Sequence, residues 1–185
     1  MIKHVVRAAL SLAAVLTAGS SIADPAVPPA DTQPAVWVSR EILFSYSGIT
    51  THYSCETLRD KIKALVLVLG ARRSGLHADE ASCAQPRLFA GVQLRMATLQ
   101  PAGQAAAAPP SSPVVAHWKA VDTDQFPGLL DVPDCELAVQ VKRQILPAFA
   151  TRNVQELQDP VCPPGRLPTR RPALRLEVLV PVDGA

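Results

Sequence analysis

The stretches Ser54-Cys55-Glu56 and Asp134-Cys135-Glu136 lie 80 residues apart in the chain. Each is followed by one further cysteine, after 28 residues in the first case and 27 in the second. The same offset of 80 aligns the Leu-Arg pair at 94–95 with the Leu-Arg pair at 174–175, and also a leucine and a proline further along. The sequence therefore predicts two copies of one structural unit.

The hydrophobic pattern predicts the same order of elements in both units: strand, helix, short strand, strand. Apolar residues alternate with polar ones between residues 36 and 46, which is the period of a half-buried strand. Ser54 and Asp134 are helix-capping residues, and each precedes a stripe of apolar residues at helical spacing: Leu58, Ile62, Leu65 and Leu69 in the first unit, and Ala138, Val141, Ile145 and Phe149 in the second. We expect an α+β fold of α/β units, with two pseudo-symmetric β-α-β-β repeats and one helix packed on a small mixed sheet in each.

The duplicated cysteines predict one disulfide within each repeat. Four cysteines allow three connectivities, but each unit carries its own pair. In a βαβ crossover the strand after the helix ends near the N-terminus of that helix. We therefore expect Cys55 to pair with Cys83 and Cys135 with Cys162, and each closed loop stabilises the fold by roughly 3.5 kcal/mol on the chain-entropy model. A thiol oxidoreductase is the competing interpretation, because a helix N-terminus lowers the pKa of a thiol, but no Cys-x-x-Cys motif occurs.

The N-terminus has the layout of a secretory signal peptide over residues 1–23. Lys3 and Arg7 precede a largely apolar stretch of eleven residues, 8–18, and Ser21-Ile22-Ala23 is a small-residue cleavage site. A spanning helix needs roughly 20 apolar residues, so a membrane anchor is disfavoured. We expect a periplasmic or secreted protein with no membrane span after cleavage.

Composition divides the rest of the chain into segments. A proline-rich flexible segment over residues 24–34 precedes repeat 1 at 35–101. An Ala/Pro/Ser linker over 102–113 separates it from repeat 2 at 114–181, and a short tail follows at 182–185. Each repeat alone buries only a small core, so we expect the two repeats to pack together.

The charge balance removes the main support for two classes of partners, nucleic acids and anionic membranes. The chain has 18 basic and 16 acidic residues, and the predicted leader accounts for the difference through Lys3 and Arg7, so 16 of each remain. A balanced chain has no overall field that attracts nucleic acid or an anionic membrane. We therefore predict no nucleic-acid partner.

The sequence supplies no recognisable catalytic, cofactor-binding or metal-binding constellation. It lacks a Gly-x-Ser-x-Gly elbow, a His-Glu-x-x-His helix and a glycine-rich phosphate loop. Its cysteines are isolated, whereas structural zinc sites use ligands in close pairs. We predict no cofactor and nominate no catalytic or metal-ligating residue.

One local cluster of charge could contact an anionic partner. It consists of Arg166, Arg170 and Arg171 in a proline-rich stretch, together with Arg72 and Arg73 after the first helix. A solvated loop is the simpler interpretation, since opposite charges are spread along the chain.

The Cys-Glu helix starts, the second cysteine of each unit and the closing stretches at 94–101 and 174–181 resemble those of a group of uncharacterised bacterial secreted proteins. The resemblance spans residues 35–181 and implies a shared two-repeat layout, but no activity and no functional residues.

These features favour an exported, non-catalytic binding or assembly protein, for which an exposed strand edge could accept a partner strand. The alternative is an enzyme with an unrecognised site in the groove between the two repeats.

Overall fold

The structure is a computed structural model that describes residues 31–82, 89–104, 112–155 and 170–182. The predicted signal peptide and most of the predicted flexible segment lie outside the described residues. Within these residues, six strands and two α-helices follow one another in the order strand, helix, strand, strand, twice: β1 (Thr32–Ser47), α1 (Cys55–Val68), β2 (His77–Ser82), β3 (Phe89–Pro101), β4 (Val114–Asp122), α2 (Cys135–Gln144), β5 (Thr151–Gln155) and β6 (Arg175–Pro181). The predicted α+β class is confirmed.

All six strands belong to one sheet, in the order β2-β3-β1-β4-β6-β5. Every described pairing is antiparallel, so the predicted small mixed sheets are wrong. Since β1 and β2 both run antiparallel to β3, they run in the same direction with β3 between them. In each half, the last strand lies between the two strands that the helix connects. The two parallel strands are therefore not neighbours in the sheet.

β1 overlaps its two neighbours very unequally. It pairs with β3 without a register shift from Ala35 to Ser47, but with β4 only from Thr32 to Ala35. Residues 32–34, which composition assigned to the flexible segment, therefore lie in the sheet. Pro34 is accommodated because its main-chain groups point toward the β3 side, just beyond the start of that pairing at Ala35, where its carbonyl accepts from the Ala102 N–H at 3.1 Å.

Both helices pack on one face of the sheet. The predicted stripe of α1 is confirmed: Leu58, Ile62 and Leu65 are buried, as is Leu69 just after the helix. They join side chains such as Phe44 and Leu94 in the main core. Ser54 caps α1 as predicted, because its hydroxyl accepts a hydrogen bond from the Thr57 N–H at 3.1 Å.

The second helix begins at Cys135, as predicted, but Asp134 is not its side-chain cap. The apolar stripe of α2 is buried as expected, through Ala138, Val141 and Ile145. Pro147 then lies in a short 3₁₀ turn, Leu146–Ala148, which ends the helical segment.

The opposite face of the sheet carries a small second cluster in which the two tryptophans pack. Trp37 and Trp118 lie against a buried group that includes Leu99 and Leu179. The Arg72 guanidinium lies 5.5 Å from the centre of the Trp37 ring, and that of Arg152 lies 4.7 Å from the Trp118 ring. These are cation–π contacts, and they give the two halves matching features on this face.

Candidate functional site

The structure places the first cysteine of each predicted pair but not the second. Cys55 and Cys135 are the first residues of α1 and α2. Among the described residues no cysteine is a free thiol. Cys83 and Cys162 lie outside the described residues, so the pairing within each repeat stays a prediction.

The predicted arginine cluster is only partly described. Arg166 lies outside the described residues, and Arg170 and Arg171 are exposed. A carboxylate already accompanies one of them, since Arg171 Nη2 lies 3.5 Å from Asp131 Oδ1. Arg72 lies against a tryptophan ring on the helix-free face. Arg72 and Arg73 line one pocket beside Trp37, whereas Arg171 accompanies Asp131.

A buried carboxylate, that of Asp134, which is 2 % exposed, lies where the two halves meet. The Tyr53 hydroxyl donates to Asp134 Oδ1. The Lys61 ammonium donates to Asp134 Oδ2 at 2.7 Å, and the Asp131 N–H donates to the same oxygen at 2.8 Å. Both carboxylate oxygens are therefore satisfied, and three segments of the chain meet at one acid.

The tyrosines of this network are held in the neutral state. Burial raises the pKa of Tyr53 far above its usual value, and the hydrogen bond and charge of Asp134 raise it further. Burial also raises the pKa of Tyr46, with smaller effects from Glu136 and Asp134. A neutral phenol donates a hydrogen bond but is a poor proton acceptor. The Tyr53 phenol therefore acts in this network as the hydrogen-bond donor to Asp134.

A cleft of about 580 Å³ lies beside this network, between α1 and residues 126–129. Glu56, Asp60, Lys61 and Phe126 are among the side chains that line it. The carboxylates of Glu56 and Asp60 are exposed. Both form ion pairs with the Arg59 guanidinium, at 3.8 Å and 3.0 Å respectively. Within the described part of the chain, no group of three His, Cys, Asp or Glu side chains could hold a metal ion.

At the corresponding junction of the other half, polar side chains of α2 bind the main chain of β1 and of the turn that follows it. Gln144 accepts from the Ser45 N–H and donates to the Ser45 carbonyl, both at 2.9 Å. Gln140 makes the same two contacts with Ser47, at 3.1 and 2.8 Å. The Glu136 carboxylate accepts the N–H groups of residues 49 and 50. Residues at i, i+4 and i+8 of a helix lie on one face, so α2 covers this end of β1 with a single stripe.

Between this covered end and β4, β1 has an edge with which no strand of the described residues pairs. In an antiparallel strand the N–H and C=O groups of successive residues point to opposite edges. Ser45 and Ser47 point toward α2, so Ser39, Glu41 and Leu43 point to the same edge, away from β3. No main-chain group of the described residues forms a hydrogen bond to the outward N–H and C=O groups of these three residues. Their side chains are exposed as well.

The outermost strands of the sheet are short and irregular, whereas β1 is long and pairs with β3 without a register shift. β2 has only six residues, includes Asp79 and Glu80, and is interrupted by a register shift before Ser82. β5 has five residues, a register shift and a left-handed residue, Asn153, with φ of 51°. Short strands, charges and irregularities are the usual protection of a sheet edge. The stretch of β1 also carries two charges, Arg40 and Glu41, but it belongs to a strand of 16 residues and has no register shift, so it is the candidate binding site.

Sequence reasoning did not locate this edge. The alternation of residues 36–46 predicted the strand, but strand periodicity carries no information about which neighbour pairs with it. One signal in the sequence was Glu136, Gln140 and Gln144, a polar stripe with two uncharged amides that suits contact with main chain better than a solvated face.

No described helix has the length and apolar composition needed to span a membrane. No protein-family model matches the chain, and no curated protein or solved structure shows significant similarity to it.

Proposed function

We propose that this protein is an exported, non-catalytic binding or assembly module that takes an extended segment of a partner protein as an extra strand on β1. The observation that carries the proposal is the unpaired, regular and exposed edge at Ser39, Glu41 and Leu43. Main-chain hydrogen bonds supply affinity in such strand addition, and pockets for alternate side chains supply specificity.

The module is proposed to consist of two β-α-β-β repeats, each closed by its own disulfide. The 80-residue offset in the sequence supports this, as does the order of elements, which occurs twice. The sheet order also supports it, because β2-β3-β1 is followed by β4-β6-β5, the same order read from the other end. The cation–π pairs Trp37–Arg72 and Trp118–Arg152 are further matching contacts.

Export to the periplasm or the extracellular space is part of the proposal and is supported by the layout of residues 1–23. The resemblance to secreted two-repeat proteins agrees with it and is itself a proposal.

The alternative, an enzyme with its site between the repeats, is favoured by one observation, the cleft between α1 and residues 126–129. A hydrophobic wall with several polar groups is a common setting for a small-molecule site. Its carboxylates, however, are exposed and accompanied by Arg59. A small molecule that co-purifies with the protein and is lost on Ala64→Trp, which fills the cleft, would favour this alternative.

The decisive variant for strand addition is Ser39→Pro, with Ser39→Ala as its matched control. Proline removes the N–H that points to the open edge, whereas the hydrogen bonds of β1 to β3 use residues 38 and 40 and are retained. Ser39→Ala changes the same side chain but keeps the N–H. Thermal unfolding of both variants checks that the fold is intact.

The binding assay uses a photo-reactive amino acid at position 43 of the full chain, in living cells, and at position 63 as a control on the exposed face of α1. Leu43 is 64 % exposed and adjoins the open edge. We expect a crosslinked partner from position 43 but not from position 63, and we expect Ser39→Pro but not Ser39→Ala to abolish it. A crosslink that survives Ser39→Pro, or none from position 43, would contradict the proposal.

A further inference from the structure

We infer that the strand received by β1 carries an acidic side chain directly opposite Arg40, between apolar side chains opposite Val38 and Ile42. This inference rests on the proposed function and adds the chemistry of the partner at that site.

Arg40 is a charged residue in an otherwise apolar row. It lies on the helix-bearing face of β1 between Val38 and Ile42, and its directly opposite residue on β3 is Met96. Methionine offers no strong acceptor to a guanidinium. Arg40 Nε is buried and has no hydrogen-bond partner. Arg40 also takes part in no ion pair of the described residues.

A buried donor without a partner is unusual, because most buried polar groups in native proteins are satisfied. Met96 on β3 offers Arg40 no strong acceptor, and on its other flank lies the edge of β1 that no described strand pairs with at this position. Because Nε is buried, a carboxylate arriving from that side would accept from the two terminal guanidinium nitrogens, in a bidentate geometry that arginine favours.

The hydrogen-bond pattern of β1 fixes the position of this contact. Ser39 and Glu41 point their main-chain groups to the added strand, so Arg40 occupies a non-hydrogen-bonded position relative to it. In an antiparallel pair such positions bring opposite side chains closest together, with Cα atoms about 4.5 Å apart. The residue opposite Arg40 is therefore its nearest partner.

The same geometry limits the length of the strand. Pairing with β4 ends at Ala35, and the contact with Gln144 begins at Ser45. The stretch between these two contacts runs from residue 36 to residue 44, which is nine positions. Val38 and Ile42 are half-buried apolar residues two positions on either side of Arg40, so apolar side chains fit opposite them.

The test uses three labelled nonapeptides and the full chain, with affinity measured by fluorescence anisotropy. The probe is acetyl-Val-Thr-Val-Thr-Glu-Thr-Val-Thr-Val-amide, and its two relatives carry Gln or Lys in place of the central Glu. We expect the Glu peptide to bind at least about tenfold more tightly than the Gln peptide, and the Lys peptide to bind most weakly, because a charge-assisted pair replaces a neutral or repulsive contact. Arg40→Glu should reverse this order, and Arg40→Gln, which keeps a polar side chain, should abolish the preference.

Ser39→Pro separates the two proposals. If it abolishes binding of all three peptides, and the three bind equally well to the unaltered chain, strand addition stands and the acidic preference is overturned. If no peptide binds, or if binding is indifferent to Ser39→Pro, both are overturned. A preference for Glu that depends on Arg40 and on the Ser39 N–H supports both.

Discussion

At Ser45 and Ser47 the outer edge of β1 receives the amide groups of two glutamines of α2, whereas at Ser39, Glu41 and Leu43 the same edge is free of such contacts among the described residues. The strand itself is the same in both places, with an uninterrupted register to β3. The difference is that α2 lies beside Ser45 and Ser47, where its glutamine side chains both donate and accept hydrogen bonds. An edge is therefore closed here by side chains and not by another strand.

The two helices teach the same lesson. The residues of α1 that lie 80 positions before Glu136, Gln140 and Gln144 are Glu56, Asp60 and Ala64. A glutamine amide can satisfy an N–H and a C=O together, but a carboxylate only accepts and alanine does neither. Where α2 makes a row of hydrogen bonds to the main chain of β1, the three corresponding residues of α1 instead line a cleft.

The largest effect is expected from Asp134→Ala, because Asp134 holds the segment that leads into α2. Its removal leaves the Lys61 ammonium, whose side chain is 19 % exposed, without its carboxylate and removes the acceptor of the Tyr53 hydroxyl. Breaking such a buried pair costs about 3 kcal/mol of the free energy of unfolding. Urea denaturation of the purified protein measures the loss.

Asp60→Ala is the matched control, since Asp60 is an exposed acid of α1 and its removal should change the free energy of unfolding by less than about 0.5 kcal/mol. Adding Lys61→Met to Asp134→Ala should recover part of the loss, because the unpaired charge is then gone. Equal effects of Asp134→Ala and Asp60→Ala would contradict this account.

The second effect is a loss of stability at alkaline pH. The chain has two tyrosines, and burial raises the pKa of each above its usual value of about 10. Below pH 10 the phenols are neutral in both the folded and the unfolded chain, so the buried tyrosines make their full contribution to the free energy of unfolding. Above pH 10, only the unfolded chain ionises, so stability falls by about 1.4 kcal/mol per pH unit for each tyrosine.

Ultraviolet absorbance reports this directly. We expect the phenolate band of the native protein to appear only with unfolding, whereas urea-unfolded protein should titrate near pH 10. A native phenolate signal near pH 10 with the fold intact would show that the tyrosine network is not buried as described.

The smallest effect is expected from Gln140→Ala and Gln144→Ala, which uncover the end of β1. Each variant removes two hydrogen bonds to main chain that water can partly replace, so a loss of about 1 kcal/mol is expected for each. Arg143→Ala is the control on the same helix, because Arg143 is exposed. If the glutamine variants had the same unfolding temperature as Arg143→Ala, the hydrogen bonds of Gln140 and Gln144 would not stabilise this end of β1.

Much of the local structure could be predicted, because it depends on short-range periodicity. Capping at Ser54 and the stripe ending at Leu69 located α1, and the Cys135 start located α2. The pairing of strands could not be predicted, since alternation shows which face is buried but not which strand lies alongside. The antiparallel insertion of β3 between β1 and β2 was missed for that reason.

Polar contacts between residues far apart in the sequence could not be predicted either. Asp134 was expected to cap α2, as its position before the helix suggests, but Tyr53 and Lys61 lie more than 70 residues away and only the fold brings them to its carboxylate. The candidate edge at residues 39–43 depends on how far β4 overlaps β1, which is a property of the whole sheet.

Residue-resolved amide hydrogen exchange along β1 in the isolated protein tests the central claim most directly. We predict slow exchange at Arg40 and Ile42, which bond to β3, and at Ser45 and Ser47, which bond to α2. Exchange at Ser39, Glu41 and Leu43 should be faster by at least about a hundredfold, because the outward N–H groups reach water without unfolding. Protection of these three amides equal to that of Ser45 would contradict the account, since the edge would then be closed.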